Sequence, residues 1–235
     1  FGQLNSLVLS ALVVSAGIQR GIERLTSWCM PLLFLLLIGL AFWAATLPEA
    51  WDGYRTFLLR WDTNQLFNPT TIRNAFTQAF FSIGTGIGCI LAYSAYLSRR
   101  NHLPNEAVAV VGIDTAVGLL AGMITFPVVM SFGLKDVVSD STVGTLFISL
   151  PTGLATLGST GRIVAVLFFA LAYIAAITSS VSLLEVPVSS IIDRLGWRRG
   201  QAVWASTAIV FLAGLPAALN LETLSLMDAI FGGLL

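Results

Sequence analysis

Gln78-Ala79-Phe80-Phe81-Ser82-Ile83-Gly84-Thr85-Gly86-Ile87-Gly88 is the stretch that decides how this chain folds. It lies inside a run from Asn74 to Ser98 that holds no charged residue, long enough for a helix that crosses a bilayer. Yet Gly84, Gly86 and Gly88 fall at every second position. Each costs about 1 kcal/mol against alanine in a helix interior. On alternating faces they cannot form one small-residue packing groove, which needs a spacing of four. The pattern predicts an unwound break at the bilayer midplane. Irregular backbone at that depth is tolerated only where it lines a cavity. Freed carbonyls there can ligate a cation, and a half-helix N-terminus can face a carboxylate. A continuous helix with tightly packed neighbours is the plainer alternative.

The rest of the chain sets the same scene. Of its 235 residues 56% are hydrophobic and only 10% charged, with a mean hydropathy of +0.87. A soluble domain carries roughly 25% charged residues. A soluble globular enzyme, a nucleic-acid binder and a disordered chain are therefore excluded. The 12 basic and 12 acidic residues cancel, so no basic excess is available for phosphate. Cys29 and Cys89 lie in apolar runs and read as small hydrophobes. The chain opens inside one apolar stretch, at Phe1, and stops inside another, so a fragment of a longer membrane protein is expected.

The charge-free runs give a single transmembrane domain over 1–235. It has a partial span at 1–18, spans at about 25–48, 73–98, 107–134, 163–193 and 200–220, and the start of a further span from about 224. Residues 135–161 form an extracellular loop that folds back onto the protein or lies in the interface. Alternation with period two is missing, which argues against a β-barrel, and no repeat of 20–50 residues points to a solenoid. Arg20, Arg24, Arg99, Arg100, Arg194, Arg198 and Arg199 crowd the helix ends on one side. By the positive-inside rule that side is cytoplasmic.

Few residues inside the spans carry chemistry. Asp114 sits eight residues into its span. A mid-membrane Asp costs about 2.5–3.5 kcal/mol and usually marks an ion or substrate path, the alternative being an interfacial or structural acid. Thr178 and Ser179, with the carbonyl of Ala175 one turn back, can offer three hard oxygens to a small cation. On the motif alone, hydroxyls bonded back to their own helix or across to a neighbour are the commoner case. Glu185 and Asp193, in the cytoplasmic half of the same helix, read as solvated at the interface. His102 reads as a solvated loop residue. No nucleophile–base set and no metal-ligand cluster is visible, so catalysis has no apparatus.

Together these motifs resemble the neurotransmitter:sodium symporters, especially their bacterial amino-acid branch. Gly21 and Pro31 enclose nine residues, like the family's Gly-x9-Pro in the fifth helix. Gln78 to Gly88 is similar to the sixth helix, Gly144-Thr-Leu-Phe-Ile-Ser-Leu-Pro151 to the fourth extracellular loop, and Leu226-Met-Asp228 to the entry of the tenth. The resemblance covers the chain from most of the fourth helix to the start of the tenth. It implies an all-α membrane protein, a polytopic helical bundle of the inverted-repeat, broken-helix transporter type, seen in part.

By position, Ser82 and Asp114 resemble ligands of the family's first sodium site. Ala175 (carbonyl), Thr178 and Ser179 resemble part of the second. Phe81, Ser82, Gly84, Gly86, Ile87, Ser179 and Leu183 match substrate-pocket positions, with Phe81 as an aromatic lid. Asp228 matches the acidic half of the extracellular gate, and Tyr96 and Asp193 match members of the cytoplasmic gate. Gln78 matches a residue near the chloride site of chloride-dependent members. Gly21 and Pro31, poor helix formers near a cytoplasmic end, would let that helix unwind and open a water path to the second sodium.

Three positions depart from the family pattern. The family often has Asn where Asp114 stands, and Gly118 replaces the serine of chloride-dependent members or the acid of many independent ones. The Asp114 carboxylate is therefore expected to supply the fixed charge that chloride gives elsewhere. Gly84 stands where some members have a side chain, which hints at a bulky hydrophobic or aromatic substrate.

The resemblance thus implies a sodium-coupled symporter for an amino acid, not an enzyme. Its partners would be the amino acid, sodium ions and the lipid bilayer, with no cofactor besides Na+ as coupling ion. It would sit multi-pass in a plasma membrane, the bacterial inner membrane. The alternatives are a proton-coupled transporter of the same fold working through Asp114, and a channel or structural membrane subunit.

Overall fold

The run that starts at Arg24 contains a helix stripe: its buried residues Leu33, Leu37, Leu40 and Ala44 recur at spacings of four, three and four. Such a stripe covers one face of a helix. In the computed structural model, which describes residues 2–60, 63–96, 102–133 and 150–232, this run is helix α2, Arg24–Ala45. It follows α1 (Gly2–Ser15) and a π-helical turn, Ile18–Glu23, which begins after Gly17. Beyond α2 lie the short α3 (Ala50–Tyr54), a second π-helical turn (Arg55–Leu59) and α4 (Thr63–Leu66). Then come α5 (Pro69–Ile83), α6 (Cys89–Ser94) and α7 (Leu103–Ser131). The last four are α8 (Leu150–Ala155), α9 (Gly158–Leu195), α10 (Arg199–Leu219) and α11 (Leu221–Gly232). Among the described residues there is no strand.

Among the described residues, four helical segments are long and apolar enough to cross a membrane: Ile18–Ala45, Leu103–Ser131, Gly158–Leu195 and Arg199–Leu219. The charge-free run at 74–98 is different, because it is divided between α5 and α6. At 38 residues α9 measures about 57 Å, against a hydrocarbon core of about 30 Å. One end of α9 therefore extends past the core. Residues 158–161 are helical. Residues 134–149, with most of the Gly144–Pro151 motif, lie outside the described residues, as do Arg99 and Arg100.

The chain divides into two units. The first takes Phe1–Cys29, Pro69–Glu106 and Ala176–Leu235. Its core gathers Ala11 and Val14 of α1, Ile22 of the π turn, Val181, Leu184 and Val188 of α9, and Ala202 and Val203 of α10. Helix α1 runs along α10, and the Gln3 side-chain amide donates to the Phe211 carbonyl at 3.3 Å. The fully buried Ser10 hydroxyl bridges α1 to α9, 2.9 Å from the Ser180 hydroxyl.

The second unit takes Met30–Asn68 and Ala107–Ala175. Its core sets the α2 stripe against Ile124 of α7, Leu154 of α8, and Val164 and Leu171 of α9. A smaller cluster of Leu47, Ala50 and Val128 seats α3, with Trp43, Tyr54 and Phe132 around it.

Candidate functional site

The break predicted at the alternating glycines is the first feature of the site. Helix α5 stops at Ile83 because Gly84 turns into the left-handed region at φ +73°, and Gly88 does the same at φ +83°. Only glycine enters that region without steric cost, which makes it the usual helix stop. The Gly84 amide bonds to the Phe81 carbonyl at 3.1 Å, closing the last turn short. The chain then turns through 84–88 and the Cys89 amide bonds back to the Gly84 carbonyl at 3.2 Å. Helix ends leave carbonyls without a partner in their own helix. Such an interruption within a membrane-length apolar run is the geometry that gives backbone oxygens to an ion.

Phe81 and Ser82 sit in the last turn of α5 and are exposed, Phe81 by 53%. Gly84 is buried, Gly86 is exposed and Ile87 half-buried within the turn. Gln78 is exposed on α5. Asp114 lies on α7 in the second unit, half-buried, whereas Ser82 belongs to the first unit. Ala175, Thr178, Ser179 and Leu183 all lie on α9, where Thr178 is buried and Ser179 and Leu183 are exposed. Tyr96 is exposed just past α6, and Asp193 is exposed in the last turn of α9. Asp228 falls in α11, its side chain outside the described residues. Gly21 lies in the π turn and presses against the carbonyl of Val13, where a side chain would collide with it. Pro31 is inside α2 and deprives it of one backbone donor.

Two groupings are new to the sequence reading. The first surrounds a cavity of about 190 Å³ in the first unit, lined by Thr26, Tyr93, Thr178 and Ser182 with Ile22, Leu25 and Val181. The Tyr93 hydroxyl donates to the Ser182 hydroxyl at 3.1 Å, and Ser182 donates to the Thr178 carbonyl at 3.1 Å. A signal for Ser182 was present in its position four residues after Thr178, on the same helix face.

The second grouping corrects the reading of Glu185. It is not solvated at the interface but fully buried, with 0% exposure. Its two oxygens accept from Arg199, at 3.2 Å from Nη1 and 2.5 Å from Nη2, while Arg199 Nε donates to the Val14 carbonyl at 2.8 Å. Burial here needs a partner, and a bidentate guanidinium supplies one. Arg199 opens α10, so the pair closes across the α9–α10 connection and also holds the end of α1.

Residues 3–229 match the sodium:neurotransmitter symporter family. The chain belongs to that family. The Bacillus subtilis (strain 168) sodium-dependent transporter YhdH is 37% identical over 95% of this chain and 48% of its own length. The sodium-dependent nutrient amino acid transporter 1 of Drosophila melanogaster is 29% identical over 89% of this chain and 34% of its own. Among solved structures, a crystal structure of MhsT in complex with L-phenylalanine matches at a TM-score of 0.80 and 36% identity. That match covers 92% of this chain and 48% of MhsT. The chain thus spans about half the length of the microbial relatives it matches and about a third of the Drosophila one. As a member of the sodium:neurotransmitter symporter family with several membrane-length apolar helices, it is a multi-pass membrane protein. The family's members are transporters, not enzymes, and its fold is the broken-helix bundle expected from Gly84 to Gly88.

Proposed function

We propose that this protein works as a sodium-coupled symporter that carries an amino acid inward across a plasma membrane, in bacteria the inner one. The observation that carries the reading is the interruption of α5 and α6 at Gly84–Gly88 in a chain of this family. Ser82 and Asp114 contribute to a first sodium site. The Ala175 carbonyl, Thr178 and Ser179 contribute to a second, since all three lie within about one turn of α9. Hard oxygens suit such a cation. Phe81, Ser82, Gly84, Gly86, Ile87, Ser179 and Leu183 face the substrate, with Phe81 as lid. Asp228 belongs to the outer gate, Tyr96 and Asp193 to the cytoplasmic one, and Gly21 and Pro31 let the fifth helix loosen. Sodium and substrate bound side by side favour each other, so a sodium gradient drives uptake as the two repeats rock around the site.

The substrate is a hydrophobic or aromatic amino acid. Two features support this: the missing side chain at Gly84, and MhsT, crystallised with L-phenylalanine. Uptake of labelled L-phenylalanine into proteoliposomes tests the whole reading. A sodium gradient should drive it and a proton gradient alone should not. Uptake that follows the proton gradient without sodium overturns the coupling, and conduction without a gradient dependence overturns transport by alternating access.

A further inference from the structure

The chain of hydroxyls from Tyr93 to Thr178 has a fixed direction. A serine hydroxyl has one proton, and that of Ser182 goes to the Thr178 carbonyl. Tyr93 must therefore be the donor in the 3.1 Å contact between the two hydroxyls. Donors aligned head to tail polarise one another, most strongly away from bulk water. The Thr178 carbonyl thus carries more than its ordinary helix bond, and a serine bonded back four residues bends its helix slightly. The bond falls on the turn that presents Thr178, which is 8% exposed and borders the 190 Å³ cavity beside Tyr93.

Tyr93 does not belong to α9. It lies in α6, the short helix that resumes after the glycine break, and a Cβ added at Gly88, just before α6, would stand 3.7 Å from the Val186 side chain on α9. The tyrosine therefore ties the second half of the interrupted helix to one turn of α9 by a directional bond. Ion ligands need supporting hydrogen bonds to hold their geometry, and losing such a support typically weakens ion affinity without removing a ligand.

We infer that Tyr93 is a positioning residue for the cation site on α9: through Ser182 it sets the turn that presents Thr178, and so couples the position of α6 to sodium affinity. This rests on the second sodium site of the proposed function. Ser182 is the relay, and its hydroxyl rather than its volume is what matters.

The test is sodium titration of amino-acid binding by the full-length protein in detergent, for the unaltered protein, Tyr93→Phe, Ser182→Ala, the double variant and Ser182→Thr. Tyr93→Phe and Ser182→Ala should each raise half-saturating sodium about three- to tenfold. Amino-acid affinity at saturating sodium should stay within about twofold, because neither residue is placed against the substrate. The double variant should be no worse than either single one, since both cut the same chain of bonds. Ser182→Thr keeps a hydroxyl and should restore the sodium dependence of the unaltered protein. Half-saturating sodium that does not move, or effects that add in the double variant, overturn the coupling alone. So does a loss of thermal stability or of binding capacity at unchanged sodium dependence. Sodium-independent binding by the unaltered protein overturns the proposed function and the coupling with it.

Discussion

Arg199 holds Glu185 with both terminal nitrogens, at 3.2 and 2.5 Å, and uses its third to cap the Val14 carbonyl at the end of α1. One guanidinium thus ties α1, α9 and α10 together. The pair sits in protein rather than in lipid. Its carboxylate is fully buried, so its neighbours rather than solvent must answer its charge.

Removing one member should therefore cost more than removing both. Arg199→Ala leaves a buried carboxylate alone and should destabilise the protein by about 3–5 kcal/mol. Glu185→Gln keeps the shape and part of the hydrogen bonding, and should cost less. The double variant Glu185→Leu with Arg199→Leu should recover part of the loss. Thermal unfolding of purified protein across the cycle checks this, and strictly additive losses would show that the two residues do not act as a pair.

The left-handed turn at Gly84 makes a second expectation. Alanine at φ +73° costs about 1–2 kcal/mol, and its Cβ would stand 3.3 Å from the Cβ of Cys89. Gly84→Ala should lower the unfolding temperature by a few degrees and reduce amino-acid binding together, since the same turn stops α5 and shapes the pocket. Unfolding and binding measured on one preparation decide it. Unchanged values for both would mean that the turn does not need a glycine.

Ser206 predicts a change in the other direction. It is 3% exposed on α10, and among the described residues its hydroxyl has no hydrogen-bond partner. Burying a polar group without a partner costs roughly 1–3 kcal/mol. Ser206→Ala should leave the protein as stable or raise its melting temperature, with binding intact. A clear fall in stability would reveal a partner for this hydroxyl.

What the sequence disclosed follows how far apart the causes lie along the chain. The break was legible because Gly84, Gly86 and Gly88 stand within five residues and a helix tolerates such spacing badly. The membrane-length helices were legible from charge-free runs, since hydrocarbon selects against charge locally. Glu185 was misread because its partner lies 14 residues on, beyond a turn. Nothing near Glu185 in sequence distinguishes a paired acid from a solvated one. Tyr93 was missed for the same reason: its contact with Ser182 spans 89 positions, and only the return of α9 beside α6 creates it. The division of α2, α7 and α9 between two units also left no mark, because each helix is continuous across the boundary.

Asp114 carries the last expectation. It is an acid within the membrane-length helix α7, where a charge is costly unless it faces an ion or another polar group. Gly118, four residues on and so one turn away on the same face, offers no second side chain to complete a chloride site. If the Asp114 carboxylate provides the fixed negative charge beside sodium, replacing external chloride by gluconate should leave sodium-driven uptake unchanged. Asp114→Asn removes that charge but keeps the shape. It should raise half-saturating sodium at least tenfold, the effect expected when a charged rather than a neutral oxygen is lost from a hydrogen-bonded or ion-binding set. Uptake by the Asn variant in gluconate and in chloride completes the test. Stimulation of that variant by chloride would show the anion taking the place of the missing carboxylate. Loss of uptake by the unaltered protein in gluconate would remove the role assigned to Asp114.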